Sequence, residues 1–250
     1  MVFNENILNN FLPITLEEMD SVKLMTRTDI KYVFHINKLE SVLNKLCDNY
    51  KILEINGKRY NNYETIYFDT HDFKMYHQHH NGKLNRNKVR FRKYLDSGVH
   101  FFEIKFKNNK GRTIKERIKR KNKDACITDK AEDFLKLKTN FNSNMLSSKI
   151  TINYSRITLV NKEFRERLTI DTDIKFSNNE HEKYMPELVI AELKRDSNLK
   201  TKFIDVMKDF KIVKGSFSKY CFGIIYLNEN IKKNNFIQKL LTIKKICNEL

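Results

Sequence analysis

Alternation of charged and apolar side chains, repeated in segment after segment, is the feature that most constrains the fold of this chain. Successive side chains of a strand point to opposite faces, so each segment predicts a β-strand with one charged and one apolar face. Short polar turns at 96–98 and 108–111 favour antiparallel pairing in a meander closed into a barrel. The predicted strands span 28–36, 63–69, 88–94, 100–107, 113–119, 150–160, 164–171, 187–194 and 220–227.

Helices are predicted where apolar residues recur every three or four positions. Thr15 and Glu18 form a capping-box pattern at the start of a short helix that is expected to end at Ser21. Asn37 is predicted to cap a second helix. Residues 197–210 carry a third apolar stripe, and 232–250 are expected to form a C-terminal amphipathic helix.

The chain is interpreted as one domain that spans residues 1–250. It has only two prolines and six glycines, and no linker-like stretch or internal repeat divides it. The apolar strand faces need cover, which the helices can supply from outside, so the charged faces would line the interior. The predicted fold class is therefore α+β: an antiparallel β-barrel that forms a tunnel, with helices packed on the outside.

The charged faces of the predicted strands are strongly basic. Between Lys83 and Arg120, fourteen basic residues stand against three acidic ones, and the whole chain has a formal net charge of +17. Like charges on neighbouring strands repel each other, which favours a bound anion over an ordinary solvated face. Charge alone leaves nucleic acid, an acidic membrane surface and a phosphate-rich small molecule open. The aromatic residues alternate to the opposite face, which argues against nucleic acid.

Glu192 is the residue that the pattern favours as a metal ligand. Alternation places it on the same basic face as Lys194. A carboxylate is a hard oxygen ligand for Mg²⁺ or Mn²⁺, which bridge protein carboxylates and substrate phosphates. A structural salt bridge is the alternative role. Asp69 and Asp72 are instead expected to make hydrogen bonds in a turn.

Cysteine and histidine usage indicates neither a disulfide framework nor a zinc site. The four cysteines form no C-x-x-C pair, so a reducing compartment is expected. His77, His79 and His80 are expected at the surface. Residues 1–10 lack a signal-peptide pattern, and no apolar run approaches the roughly 20 residues of a membrane span. A cytoplasmic protein without a membrane span is therefore expected.

A series of short motifs follows in order along most of the chain. The motifs are Asp29 to Tyr32, Tyr63 to Thr70 with Asp72 and Met75-Tyr76, Arg90-Phe91-Arg92, Glu103-Ile104-Lys105, Lys115-Glu116-Arg117, Tyr154-Ser155-Arg156, Arg165 to Asp171, Glu192-Leu193-Lys194 and Phe217 to Tyr220. Each motif is a weak signal alone. In this order, they resemble the VTC-type polyphosphate polymerase domain of the triphosphate tunnel metalloenzyme superfamily.

The resemblance implies a function and a set of site residues. It implies transfer of the γ-phosphate of ATP to a growing polyphosphate chain in a cationic tunnel, with Mn²⁺ or Mg²⁺ held by Glu192. The implied catalytic residues are Lys31, Arg90, Arg92, Lys105, Arg156, Arg167 and Lys219. The implied substrate-binding residues are Lys115, Arg117, Tyr154, Arg165, Lys194 and Ser218.

The first strand departs from the pattern of the superfamily. Triphosphatase and adenylyl cyclase members carry E-x-E-x-K, whereas this chain has Arg27-Thr28-Asp29-Ile30-Lys31, which argues against the hydrolase branch. Metal contacts by Asp29 or Glu103 are left open. The alternatives to polymerisation are triphosphate hydrolysis in the same tunnel and non-catalytic polyphosphate binding. Fungal proteins of this type also carry a phosphate-sensing helical domain and a membrane anchor. This chain is expected to have room for neither, so any translocation is expected to need a membrane protein partner.

Overall fold

The computed structural model describes residues 3–20, 27–120, 126–196 and 200–248, and a sheet of twelve strands forms its centre. The strands are β1 (Leu12–Ile14), β2 (Arg27–His35), β3 (Tyr50–Leu53), β4 (Asn61–Asp69), β5 (Arg86–Tyr94), β6 (Val99–Lys107), β7 (Thr113–Arg120), β8 (Ser147–Asn161), β9 (Glu166–Ser177), β10 (Glu182–Met185), β11 (Leu188–Asp196) and β12 (Lys214–Gly215). The helices are α1 (Leu16–Asp20), α2 (Leu39–Asn44), α3 (Lys74–His80), α4 (Lys130–Lys138), α5 (Lys202–Asp209), α6 (Lys219–Leu227) and α7 (Ile237–Ile246). Every strand predicted between residues 28 and 194 is confirmed.

The strands pair along one path, β12-β2-β11-β9-β8-β4-β5-β6-β7, and its ladders are antiparallel. The register shifts in β8 and its neighbours, and such irregularities bend a sheet. The bent sheet brings β6 and β11 close enough for the charges of Lys105 and Glu192 to influence each other's pKa. The predicted antiparallel tunnel fold is confirmed with one difference. In the described ranges no ladder joins β7 to β12, the two strands at the ends of this path, so the sheet is not closed.

The convex face of the sheet carries the core that the outer helices cover. Tyr32 of β2, Leu168 of β9 and Ala191 of β11 point to this face and are buried. Phe203 of α5 packs edge-on against Tyr32, with 5.4 Å between ring centroids. Phe102 of β6 belongs to a second buried cluster that α4 covers. The expected position of these helices outside the sheet is therefore confirmed.

Helix starts agree with the sequence in one place and differ in another. The capping box is present, because the Thr15 amide donates to Glu18 Oε2 at 2.8 Å and the Glu18 amide donates to Thr15 Oγ1 at 3.2 Å. The predicted cap at Asn37 is wrong. His35 Nδ1 accepts from the Asn37 amide at 3.1 Å, and a single 3₁₀ turn separates this cap from α2. Parts of three predicted helices lie outside the described residues: Ser21, 197–199 and 249–250.

The strand predicted at 220–227 is wrong, because this segment is helix α6. Its side chains are buried on nearly every side, and an apolar run without periodicity does not distinguish a buried helix from a strand. The helix packs into the concave face of the sheet against β8 and β9. A Cβ at Gly223 would lie 2.0 Å from Ile150 Cδ1 and 2.7 Å from Phe176 Cδ1, so the close approach requires glycine.

Asp69, at the end of β4, fixes both α3 and α6. Its carboxylate accepts from the backbone amides of Met75 and Tyr76, each at 2.9 Å, and from the hydroxyl of Tyr220. Thr70 Oγ1 donates to Asp72 at 2.6 Å. The predicted turn hydrogen bonds of both aspartates are confirmed.

Two histidines of α3, His79 and His80, are not the surface residues that the sequence predicts, whereas His77 is half-buried. His80 is buried, and its ring packs on Phe236 ahead of α7 with centroids 5.7 Å apart. His79 Nδ1 lies 2.9 Å from Cys221 Sγ. The prediction is wrong because α3 itself is not predicted. No helix in the described part of the chain has the length and apolar character that crossing a bilayer requires.

Candidate active site

The concave face of the sheet gathers basic side chains from separate strands. On β5, Arg90 and Arg92 alternate with Val89 and Phe91, which belong to the convex core. The same alternation operates on the other strands. The predicted site residues on the concave face are Lys31, Arg90, Arg92, Lys105, Lys115, Arg117, Tyr154, Arg156, Arg167, Glu192 and Lys194. Ser218 and Lys219 join them from the start of α6.

Glu103 is wholly buried between Arg90 and Lys115. Arg90 Nε donates to Glu103 Oε2 at 2.6 Å, and Lys115 Nζ lies 2.5 Å from Oε1. Burial acts to raise the pKa of Glu103, but the nearby cations, Arg90 first, outweigh it and hold the pKa far below its usual range. Glu103 therefore has both oxygens in short ion pairs and no exposed surface, which does not suit it to metal binding.

Asp171 on β9 joins Arg156 to Lys219 and is not among the predicted site residues. Arg156 Nε and Nη2 donate to its two oxygens at 2.5 and 2.9 Å, and Lys219 Nζ donates to Oδ2. Burial acts to raise the pKa of Asp171, but the two cations outweigh it and lower the pKa to about 2. Asp171 shares a strand face with Arg167 and Thr169, because alternate residues of a strand point the same way. This alternation is the signal that could have identified it.

Glu192 lies between Lys31 at 3.2 Å and Lys194 at 3.4 Å. Burial opposes ionisation, yet Lys194 and Lys31 hold the pKa of Glu192 far below its usual range. Among the described residues, no group of three or more His, Cys, Asp or Glu side chains could enclose a metal. Asp29 is exposed. A single carboxylate fits an Mg²⁺ or Mn²⁺ ion whose other ligands are phosphate oxygens and water.

Arg92 is buried, and no carboxylate of the described ranges lies within ion-pair distance of it. Its Nε donates to Thr65 Oγ1 at 3.2 Å. Its guanidinium lies 5.9 and 6.0 Å from the ring centroids of Tyr63 and Tyr154. These rings offset only part of the positive charge, so the site retains unneutralised charge at Arg92.

The two lysines nearest the arginines have lowered pKa values. Arg90 is the main cause for Lys105, followed by burial, and its pKa lies well below the usual value. Burial is the main cause for Lys115, whose pKa is lowered to about 8 although Glu103 acts in the opposite direction. An anion bound here would favour the charged forms of both lysines.

Stacked tyrosines form one wall of the site. The Tyr63 and Tyr154 rings are nearly parallel, with centroids 5.2 Å apart. Lys219 Nζ lies 4.5 Å and the Arg156 guanidinium 5.3 Å from the Tyr154 ring centroid. The Tyr154 hydroxyl is buried and has no hydrogen-bond partner in the described part of the chain. It is thus placed to donate to a phosphate oxygen.

Tyr67 and Lys88 also belong to the site, although neither is predicted to. The Tyr67 hydroxyl accepts from Arg90 Nη1 at 3.0 Å. Burial acts to raise its pKa, but Arg90, Arg92 and Lys88 outweigh burial and lower it. Lys88 Nζ donates to Ser218 Oγ at 2.8 Å. Lys88 stands two residues before Arg90, and Tyr67 stands two residues before Asp69 of the motif. Alternation along each strand could therefore have placed both residues on the concave face.

Arg165 is the predicted site residue that the structure does not bring together with the others. It precedes β9, its side chain is 54% exposed, and its Nε lies 3.7 Å from Asp196. Phe164 has a positive φ of 58°, so the chain turns here and the strand alternation begins only at Glu166. Alternation therefore cannot be extended back from Arg167 to Arg165.

Arg167 and Arg117 lie at the rim of the concave face. Arg167 Nη2 donates to the Met19 carbonyl of α1 at 3.2 Å. Arg117 is exposed on the edge strand β7, and its guanidinium lies 4.2 Å from the Phe101 ring centroid. Arg117 thus lies on the open edge of the sheet, and Arg167 lies opposite Val160 near the end of β8.

Comparison with known families decides the assignment. The family model of the VTC domain matches residues 26–228, from β2 to the end of α6. The chain belongs to the VTC domain family. A search of curated protein sequences gave no significant match.

Solved structures agree on the fold of this VTC domain. A candidate adenylate cyclase from Bacillus halodurans is 15% identical, with a TM-score of 0.51 over 78% of this chain and 96% of that one. A second neighbour is a candidate adenylyl cyclase from Hippeastrum, for which a dominant triphosphatase activity is described. It is 10% identical, and the TM-score is 0.51 over 80% of this chain and 95% of that one. Family and fold together support a tunnel enzyme that acts on triphosphate or polyphosphate.

Proposed function

We propose that this VTC domain transfers the γ-phosphate of ATP to a growing polyphosphate chain on its concave face. The observation that carries the proposal is the buried guanidinium of Arg92, which has no carboxylate within ion-pair distance among the described residues, whereas Glu103 and Asp171 are already engaged in ion pairs. Arginine binds phosphate oxygens in a bidentate manner, and lysine adds point charge. A chain of phosphates would supply the missing negative charge.

Phosphoryl transfer chiefly needs positioning and charge stabilisation. Arg90, Arg92 and Lys105 would hold the transferred phosphoryl group, and Arg156 and Lys219 would hold the acceptor chain. Other predicted residues would add contacts from the rest of the face: Lys31, Lys115, Arg117, Tyr154, Arg167, Lys194 and Ser218. Arg165 lies too far toward solvent to share this role.

Glu192 would hold the Mg²⁺ or Mn²⁺ ion, which would neutralise charge on the phosphate oxygens. The three carboxylates of the site favour transfer over hydrolysis. Glu103, Asp171 and Glu192 all have lowered pKa values and are poor proton acceptors, whereas hydrolysis requires an activated water. A terminal phosphate oxygen is already anionic and needs no base. Hydrolysis remains the second candidate, because the Hippeastrum neighbour is described with triphosphatase activity.

Incubation with ATP and Mn²⁺, followed by a gel stained for polyphosphate, tests the proposal. We expect polymer and ADP from the unmodified chain and at least about 100-fold less polymer from Glu192→Ala. Glu182→Ala is the matched control, because Glu182 is exposed on β10 and forms its ion pair with Lys175, away from the basic side chains of the site. Orthophosphate without polymer would identify a hydrolase. Tight polyphosphate binding without turnover would identify a binding module.

A further inference from the structure

A second cationic cluster lies on the concave face at the end near α3, α6 and α7. Arg86 and Lys88 of β5 lie next to Lys107 of β6 in the sheet. Lys239 of α7 lies 5.6 Å from the ring centroid of Phe236, which packs on His79 with centroids 6.1 Å apart. Burial first, and then these four cations, lower the pKa of His79 to about 2, so the ring is neutral. The neutral ring therefore adds no charge to this cluster.

Strand register sets these cations directly against one another. Arg86 opposes Lys107 in the ladder between β5 and β6, and Lys88 opposes Lys105. In the part of the chain that the structure describes, no carboxylate lies within ion-pair distance of Arg86, Lys88, Lys107 or Lys239. Like charges on opposed positions destabilise a sheet unless an anion lies between them.

The cluster continues the active site along the same face. Arg92, Arg90, Lys88 and Arg86 alternate along β5, so the basic row extends for roughly 20 Å at about 3.4 Å per residue. Helix α6 packs instead on β8 and β9, where Gly223 meets the sheet. The first turn of α6 meets the row at Lys88, whose Nζ donates to Ser218 Oγ at 2.8 Å, and Arg86 and Lys107 lie beyond this contact along β5 and β6.

We propose that Arg86, Lys107 and Lys239 form a second phosphate-binding subsite, which takes the distal phosphates of a linear chain longer than triphosphate. This subsite deepens the proposed polymer-forming function and rests on it. A triphosphate held at Arg90 and Lys105 would end short of the cluster, whereas a longer chain would pass Lys88 and reach it.

Calorimetric titration with tripolyphosphate and with a linear polyphosphate of about 15 phosphates tests this subsite. We expect Arg86→Gln/Lys107→Gln/Lys239→Gln to lose at least about tenfold in affinity for the long chain and less than about twofold for tripolyphosphate. The control Lys45→Gln/Lys130→Gln/Lys162→Gln removes the same charge from exposed positions elsewhere and should match the unmodified chain. Equal losses for both ligands, no loss, or the same loss in the control would overturn the subsite.

The unmodified protein provides a second measurement that does not depend on how well the triple variant folds. The long polyphosphate should shift the imidazole resonances of His79, whereas tripolyphosphate and orthophosphate should not. A shift with orthophosphate alone would show a free-phosphate site and overturn the proposal. Length-dependent binding without polymer synthesis would overturn the proposed activity and leave the subsite standing. Polymer synthesis without length-dependent binding would overturn the subsite alone.

Discussion

Glu103 and Glu166 are buried carboxylates on opposite faces of one sheet, and they differ in the charge around them. Glu103 faces the concave side, where Arg90 and other cations hold its pKa far below the usual range. Glu166 faces the convex core, where burial raises its pKa to about 7 although the Tyr50 hydroxyl donates to it. The comparison shows that the concave face stabilises negative charge, whereas the convex face penalises it.

The largest expected effect comes from removal of the negative charge of Glu103 on the concave face. Glu103→Gln should lower the free energy of unfolding by about 3–5 kcal/mol, because Arg90 and Lys115 lose their buried counter-charge. Urea denaturation measures this change. Glu116→Gln, at an exposed ion pair with Lys138, should leave the midpoint nearly unchanged. Equal midpoints for both variants would contradict the contrast between the two faces.

The next effect concerns activity. Arg92→Met should lower kcat/KM about 10²–10³-fold, because the group that stabilises the transferred charge is lost. The free energy of unfolding should not fall, since Arg92 has no carboxylate within ion-pair distance among the described residues. ADP release and denaturation are measured together, with Arg112→Met in the exposed β6–β7 turn as the control. A rate loss explained by unfolding would argue against a direct role.

A smaller effect is expected at Glu166. Its folded-state pKa is raised to about 7 from an ordinary value of 4.5. Its contribution to stability is therefore complete at low pH and is lost as the pH rises through about 7. Between pH 5 and 8 the unmodified chain should lose on the order of 1–3 kcal/mol relative to Glu166→Gln. Parallel pH profiles of the free energy of unfolding would refute the convex-face penalty.

The smallest effect concerns Lys115, whose pKa is lowered to about 8. As the pH rises from 7 to 9 its ammonium group loses a proton, so tripolyphosphate loses a binding cation. Affinity should fall by less than about tenfold, and Lys115→Gln should flatten this part of the profile. Lys45→Gln, at an exposed position, should retain the full dependence. A steeper profile in Lys115→Gln than in the unmodified chain would contradict the assignment.

The strands and their charged face could be predicted because alternation is a local property. Arg90 and Arg92 need only their own strand to share a side, and the ladders then bring separate strands together. Helix α6 could not be predicted, because its burial depends on the apolar half of the concave face. Ile150 and Phe176 create that environment from distant parts of the chain.

The site was predictable in its cations but not in its ion pairs. Asp171 and Glu103 are buried because particular cations oppose them across the sheet, and a single strand does not show this register. Arg165 illustrates the converse, since the turn at Phe164 ends an alternation that the sequence alone would extend.

A crystal structure with bound tripolyphosphate tests the central claim most directly. Because the basic side chains converge on the concave face, we expect electron density for the phosphates there. Phosphate oxygens should accept hydrogen bonds from Arg90, Arg92 and Lys105. Ordered phosphates found only on the outer helices or on the exposed edge of β7, with those three side chains unliganded, would contradict it.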